Sequence, residues 1–373
     1  MRARSWFAGM LLLLSALFLP GPSPAGARSC QVWGSPPSPN VGADSNVLND
    51  VAVVSSCRAW AVGHYYDTGL GRNQNLILRW DGTEWSVVES PNRGSQVNEL
   101  LGVAAVSASD VWAVGYSGYP TSRSLVLHWN GAAWSIVKSP NPSDVCNDLF
   151  GITATSASNV WAVGERCAGS AAQRVMIQRW NGTAWRVQRT PDLAGDHEYL
   201  LGVAARSSTN AWAVGGTQGG TLALRWNGSK WVRRDTPNGP AASLEGVAVT
   251  GSGIAWAVGT DRDFQPMIVR WNGRSWKRQP SPGAGDYGGR FHGVVAASAT
   301  NAIAVGDSYG MGGRSTLIVH WNGTAWIQER APASADVGAN SQLRGVDLIS
   351  ANDAWAVGFY EPSVFQTLIL HCC

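Results

Sequence analysis

Between Leu100 and Pro140 the chain reads as four short apolar runs: Leu100-Leu-Gly-Val-Ala-Ala-Val, Val111-Trp-Ala-Val-Gly, Ser124-Leu-Val-Leu-His-Trp and Trp134-Ser-Ile-Val. Each is rich in β-branched or aromatic residues and is closed by Ser, Asp, Asn, Gly or Pro, a pattern that predicts strands joined by turns rather than helices. The second run recurs as Trp-Ala-Val-Gly at Trp60, Trp112, Trp161, Trp212, Trp256 and Trp355, with Ile303-Ala-Val-Gly as a seventh copy, at intervals of 44 to 52 residues. Seven copies of a four-stranded unit predict an all-β protein, a seven-bladed β-propeller of antiparallel blades. A closed ring offers no point at which to divide residues 28–373 into separate domains.

The two ends of the repeat array are complementary. Cys30-Gln-Val-Trp33, followed by Ser38-Pro-Asn40, copies the fourth run of the unit, whereas the last unit stops after its third run, at Leu368-Ile-Leu-His371. Residues Gln31 to Ser35 are therefore expected to pair with Thr367 to His371 and close the ring, removing the exposed edges an open array would carry. Third and fourth runs are joined by turns such as Trp80-Asp-Gly-Thr-Glu-Trp85 and Trp129-Asn-Gly-Ala-Ala-Trp134. Asn-Gly and Asp-Gly supply the positive backbone angles of tight hairpins, and the flanking tryptophans are expected to cover the turn.

With its Gly and Trp in that turn, and Trp-Ala-Val-Gly on the second strand, the sequence resembles the secreted bacterial propellers of Asp-box, or BNR, type, in particular photosystem II assembly-factor-like repeats. The turn here is one residue shorter, lacks the leading Ser and mostly carries Asn for Asp. The resemblance extends over residues 28–373 and implies a propeller scaffold. It also raises a sialidase reading, for which the required arginine triad, Tyr-Glu pair and acidic general acid cannot be placed.

Composition sets the compartment. Arg2 and Arg4 precede an apolar run from Trp6 to Leu19 and an Ala25-Gly-Ala27 site, the form of a secretory signal peptide, so residues 1–27 are expected to be removed and the protein secreted. Loss of those two arginines takes the formal charge from +3 to +1. A nearly neutral chain without a basic block lacks the footprint of nucleic-acid binding. No later run approaches a membrane span. A monomer is expected. Six cysteines in an exported chain favour disulfides. Reflection about the turn at Ser156 to Asn159 brings Cys146 opposite Cys167, and alignment of the ends puts Cys30 beside Cys372 and Cys373. Cys57 is left for whichever of those two remains.

Candidate chemistry gathers at two ends of the blades. Arg79, His128, Arg179, Arg225, Arg270, His320 and His371 form a seven-fold set of cations, expected to serve as links to Asp110, Asn159, Asn210, Asn301 and Asp353 with stacking on Trp. The opposite end carries the variable loops, where ligand recognition is expected. Tyr119, Tyr287, Tyr309 and Tyr360 are binding candidates there, with Phe264 among the other loop aromatics. In Leu-x-Gly-Val of the first run, x is apolar in Leu101, Phe150 and Leu201 but polar in Glu245, His292, Arg344 and Asn49, whose neighbour Asp50 stands in the Gly place. These four come from contiguous blades and form a candidate ligand site at the channel mouth, or else a Glu245–Arg344 pair with His292 as spectator. No cofactor or metal motif and no catalytic signature is present. The sequence points to a non-catalytic binding module for a glycan or protein at the cell envelope. The competing reading is a glycosidase or lyase drawing on Glu99, Asp148, Glu198, Glu245 or Asp286.

Overall fold

A computed structural model describes residues 32–94, 96–169, 172–193, 195, 197–237, 239, 241–282, 285–332 and 340–373. The proposed leader and Cys30 lie outside the described residues. Seven four-stranded antiparallel sheets form seven blades, with no helix among the described residues. Blade 1 comprises Asn46–Ser55, Arg58–Asp67, Arg72–Trp80 and Trp85–Val87, and blades 2 to 6 repeat this order. Blade 7 takes Gln342–Ser350, Asp353–Tyr360 and Gln366–Cys372 from one end of the chain and Trp33–Gly34 from the other. Trp33 faces Cys372 and Gly34 faces His371, so the complementary ends complete one sheet. Inner strands of successive blades pack on one another, and blade 7 packs on blade 1.

The signature has a steric origin. A Cβ on Gly63, Gly115 or Gly164 would lie 1.8–1.9 Å from a main-chain oxygen of the blade's own inner strand, so only glycine permits the first two strands to approach this closely. Its tryptophan works between blades. Trp60 meets Trp129 and Trp134 of blade 2 at 4.9 and 5.2 Å, the latter edge-on, and Trp355 meets Trp80 and Trp85 of blade 1 in the same way. The tryptophans expected to cover the turn thus clamp the preceding blade, and the hydrophobic core consists of inter-blade clusters. At one seam the device is replaced. Ile303 of blade 6 packs with Trp33 and Cys372 of blade 7. The two departures from the repeat, Ile for the signature Trp and Cys for the third-strand Trp, are therefore partners in one interface.

At this end of the ring the cations also act as ties. Arg179 Nε donates to Asn159 Oδ1 at 2.9 Å, His128 and Asp110 approach to 2.9 Å, His371 and Asp353 to 3.0 Å, and Asn301 and His320 to 2.9 Å. Arg79, Arg179, Arg225 and Arg270 lie over signature tryptophans, which supplies the expected stacking. Asn210 Oδ1 and Arg225 Nε do not join, so blade 4 keeps the stacking without the link. The Asn-Gly turns differ from expectation in one respect. Positive φ belongs to the glycine alone, as in Gly131 at +97°. The Asn acts through its side chain instead, Asn130 Oδ1 accepting from the main chain of Ala132 and Ala133, both at 3.0 Å. Asp81 does the same in blade 1, and bonds from Glu84 and then Thr83 lower its carboxyl to about 2.

Cys146 and Cys167 are bonded, with Cα atoms 5.0 Å apart. Cys372 is buried and disulfide-bonded. Cys57 and Cys373 are free and exposed, which corrects the pairing proposed for Cys57. Cys57 is held against Gly82 of its own blade, at the first hairpin turn, where no second cysteine is within reach among the described residues.

Candidate functional site

The position x of Leu-x-Gly-Val is a β-bulge in all seven blades. Strand pairing passes from Leu48 to Asp50, from Leu244 to Gly246, from Phe291 to Gly293 and from Leu343 to Gly345, and the residue between has no ladder partner. A bulge frees a side chain from the pleat and re-aims it. Asn49, Leu101, Phe150, Leu201, Glu245, His292 and Arg344 all line a central channel of about 420 Å³. The glycine that follows lets the inner strands converge, since a Cβ on Gly202 would lie 2.5 Å from Glu245 O. Asp50 takes that place in blade 1. Its carboxylate accepts from Val51 N at 2.9 Å and, across the seam, from Val103 N at 2.9 Å. Asp347 reaches back from blade 7 to Val53 N at 2.8 Å. Burial raises Asp50 to about 7 and Asp347 to about 6.

The four polar bulge residues are brought together, though not as a Glu–Arg pair. His292 is the centre: Nδ1 meets Glu245 Oε2 at 2.5 Å and Nε2 meets Asp307 Oδ1 at 2.7 Å. Gln342 Nε2 donates to the same Asp307 oxygen at 2.6 Å. Arg344 donates from Nε to Gln342 Oε1 at 3.1 Å and from Nη1 to Asn49 Oδ1, and Asn49 Nδ2 donates to Leu100 O at 2.7 Å. The chain of bonds crosses from blade 5 to blade 2. Arg344 makes no hydrogen bond to Glu245; its guanidinium donates to two amides and lies over Phe359, 4.9 Å from the ring. Burial alone would lower the His292 pKa; the Glu245 carboxylate and the bond to Asp307 outweigh it and raise the pKa. Burial likewise works to raise Asp307, but the His292 bond and charge hold it below its ordinary value. His292 thus stands between two carboxylates, one at each ring nitrogen.

Asp307 and Gln342 were not singled out from the sequence. The signal for Asp307 is its position directly after the signature Gly, which in strand register faces the residue two before the bulge: Arg290 opposite Asp307, Asp148 opposite Glu165, Glu99 opposite Tyr116. In blades 3 and 2 that register assembles acids. Burial, then Asp148, raises Glu165 to about 7, and Asp148 is also raised, chiefly by burial. Glu99 accepts from Asn73 at 2.7 Å, with His64 at 3.8 Å. Glu198 is buried with Arg174 at 3.9 Å. Asp148, Glu165 and Cys146 come close enough to suggest a metal centre, but the sulfur belongs to a disulfide.

The candidate tyrosines separate. Tyr119 is 81% exposed, and Tyr360 packs on the blade 7 core. Tyr287 and Tyr309 meet in a cavity of about 580 Å³ on the variable face of blades 5 to 7, with Phe264, Arg290, Arg314 and Asn340 in its wall. Phe264 and Tyr287 are 67% and 66% exposed. Their backbones are nonetheless fixed: Gly289 N donates to Phe264 O at 2.8 Å, Tyr287 N to Tyr309 O at 3.0 Å, and Tyr309 N to Gly288 O at 2.8 Å. Phe264 sits at φ +57° and Asn340 at φ +54°, two of the three non-glycine residues with positive φ among those described. A bulky side chain in that region is uncommon and costs energy, and such strain concentrates at binding sites.

By sequence the chain matches no protein-family model and no curated relative. Its fold is similar to that of solved propellers. YCF48 bound to D1 peptide superposes with a TM-score of 0.59 at 14% identity, over 94% of this chain and 99% of that one. YCF48 from Cyanidioschyzon merolae gives 0.57 at 15%, over 91% and 98%. The GH74 xyloglucanase from Xanthomonas campestris gives 0.56 at 14%, over 87% of this chain and 53% of that one. At such identities the likeness establishes the seven-bladed architecture of this chain and nothing finer.

Proposed function

We propose that the protein is a non-catalytic binding propeller that recognises a glycan with its variable face. The observation that carries this reading is the cavity between blades 5 and 7, where Phe264 and Tyr287 stay exposed on a strained, hydrogen-bonded frame. A flat aromatic surface held open to solvent suits the apolar face of a sugar ring, and nearby polar groups suit its hydroxyls. Rigid aromatics bind at low entropic cost. The reading includes export, supported by the apolar leader in the sequence and by the Cys146–Cys167 disulfide.

A glycan array and a turnover screen on the same polysaccharides test it. Binding without turnover, lost in Tyr287→Ala and Phe264→Ala and kept in Glu245→Gln, is the expected result. Turnover that disappears in Glu245→Gln would make the protein a carbohydrate-active enzyme. Silence on glycans with binding to a peptide array would assign a protein partner, the class of ligand with which YCF48 is described.

A further inference from the structure

The same cavity carries charged residues beside its aromatic ones. Arg290 and Arg314 contribute two guanidinium groups to its wall, and among the described residues Glu361 is the sole carboxylate in the lining. Asp307 lies behind the wall with its side chain fully buried and is occupied by His292 and Gln342. Arg314 Nε stands 3.9 Å from the second Asp307 oxygen, too far for a hydrogen bond. In the described lining itself the two guanidinium groups outnumber the one carboxylate, which gives the wall an excess of positive charge.

Tyr309 holds both guanidinium groups in position. Its hydroxyl accepts from Arg290 Nη2 at 3.1 Å, and its ring lies 5.3 Å from the Arg314 guanidinium carbon. A guanidinium has five N–H donors in a planar fork suited to a carboxylate. Among the described residues Arg290 spends one of them on Tyr309 and Arg314 makes no side-chain hydrogen bond. Two oriented guanidinium groups with donors to spare thus stand beside an aromatic platform.

Resting on the glycan reading above, we propose that this cavity takes a hexuronate. The sugar ring lies against Phe264 and Tyr287, and its carboxylate is held by Arg290 and Arg314. Export of the chain would bring such a site to acidic polysaccharides outside the cell.

Calorimetric titration with short oligomers of galacturonate, glucuronate and mannuronate, each as free acid and as methyl ester, tests the assignment without any protein variant. The ester keeps the ring and removes the charge. The free acid of at least one series is expected to bind about tenfold tighter than its ester, the difference narrowing to about threefold or less in Arg314→Gln and in Arg290→Gln. Tyr309→Phe, which keeps the ring and removes the acceptor of Arg290, should weaken the acid and leave the ester unchanged. Equal affinity for acid and ester overturns the hexuronate assignment and leaves the glycan reading standing. Binding of neither form overturns the assignment, and the neutral glycans of the array then decide the broader reading.

Discussion

The channel mouth has two halves built at identical repeat positions with opposite solutions. In blades 2 to 4 the bulge residues are Leu101, Phe150 and Leu201, and the register behind them holds Glu99, Asp148 and Glu165 with no cation between Asp148 and Glu165. In blades 5 to 7 and 1 the bulge residues are Glu245, His292, Arg344 and Asn49, and the buried Asp307 behind them is met by His292. The consequence appears in the acids themselves. Glu165 is raised to about 7, whereas Asp307, with a fully buried side chain, is held below its ordinary value. Burial acts in the same direction on both. What separates them is whether a hydrogen-bonded cation is within reach.

The most severe way to break this contrast is to remove that cation. His292→Leu gives blade 6 an apolar bulge residue like Leu201 and strands Asp307 with Glu245. Losing one partner of a buried ionic cluster costs about 3 kcal/mol or more, since the remaining charge keeps its desolvation penalty. The reverse exchange, Phe150→His, puts an imidazole at the bulge of the blade that carries Glu165, the place His292 holds relative to Asp307, and should cost less than the loss of His292. Urea unfolding of both variants at pH 7 compares them. Equal losses would mean that His292 contributes only by filling space.

The blades themselves were legible in the sequence because each depends on local pattern. Trp-Ala-Val-Gly marks the second strand since its Gly is sterically required and its Trp is buried, and the complementary ends could be matched residue by residue. The polar bulge residues were legible for the same reason, as exceptions at a fixed place in the repeat. What could not be read was partnership outside the strand ladder. His292 has no ladder partner, so nothing in the register joins it to Asp307 of its own blade or to Glu245 of the blade before, and Glu245 was matched to Arg344 by charge alone. Likewise Phe264, Tyr287 and Tyr309 lie on three separate segments, and the hydrogen bonds that bring them into one cavity involve main chain, which side-chain identity does not reveal. The role of Trp129 and Trp134 as a clamp on blade 1 belongs to this class too.

A milder intervention cuts the polar half further along its chain of bonds. Arg344→Met keeps the packing on Phe359 and leaves Gln342 Oε1 and Asn49 Oδ1 without their donor. Because the mouth is open and water can replace part of what is lost, the expected cost is on the order of 1–2 kcal/mol. A cycle with Asn49→Ala sharpens the point: if the two residues act through their bond, the second substitution adds little once the first is present. Strict additivity would count against a connected network.

The smallest effect comes from the acid half, and it has a distinctive sign. A carboxylate whose folded pKa is raised binds its proton more tightly when folded. Its protonated form therefore favours the folded state at low pH, and that advantage is lost as pH rises from the ordinary carboxylate value through about 7. Glu165→Gln keeps an oxygen for the Gln173 donor that Glu165 Oε1 now accepts from at 2.9 Å and removes the charge that Asp148 opposes. The variant should match the wild type at pH 4.5 and exceed it at pH 8 by about 1 kcal/mol, a rise of a few degrees at most in the melting temperature. Asp50 and Asp347 are raised by burial and give the wild type a background of the same sign in both proteins, so the difference between the two melting curves isolates Glu165. In the polar half the signs differ. The raised His292 contributes stability below the ordinary imidazole value that is lost as pH rises through its folded value, and the lowered Asp307 contributes stability above the ordinary carboxylate value that is lost as pH falls. A Glu165→Gln variant less stable than the wild type at pH 8 would show that the acid half is also satisfied when charged, and the contrast between the two halves would fall.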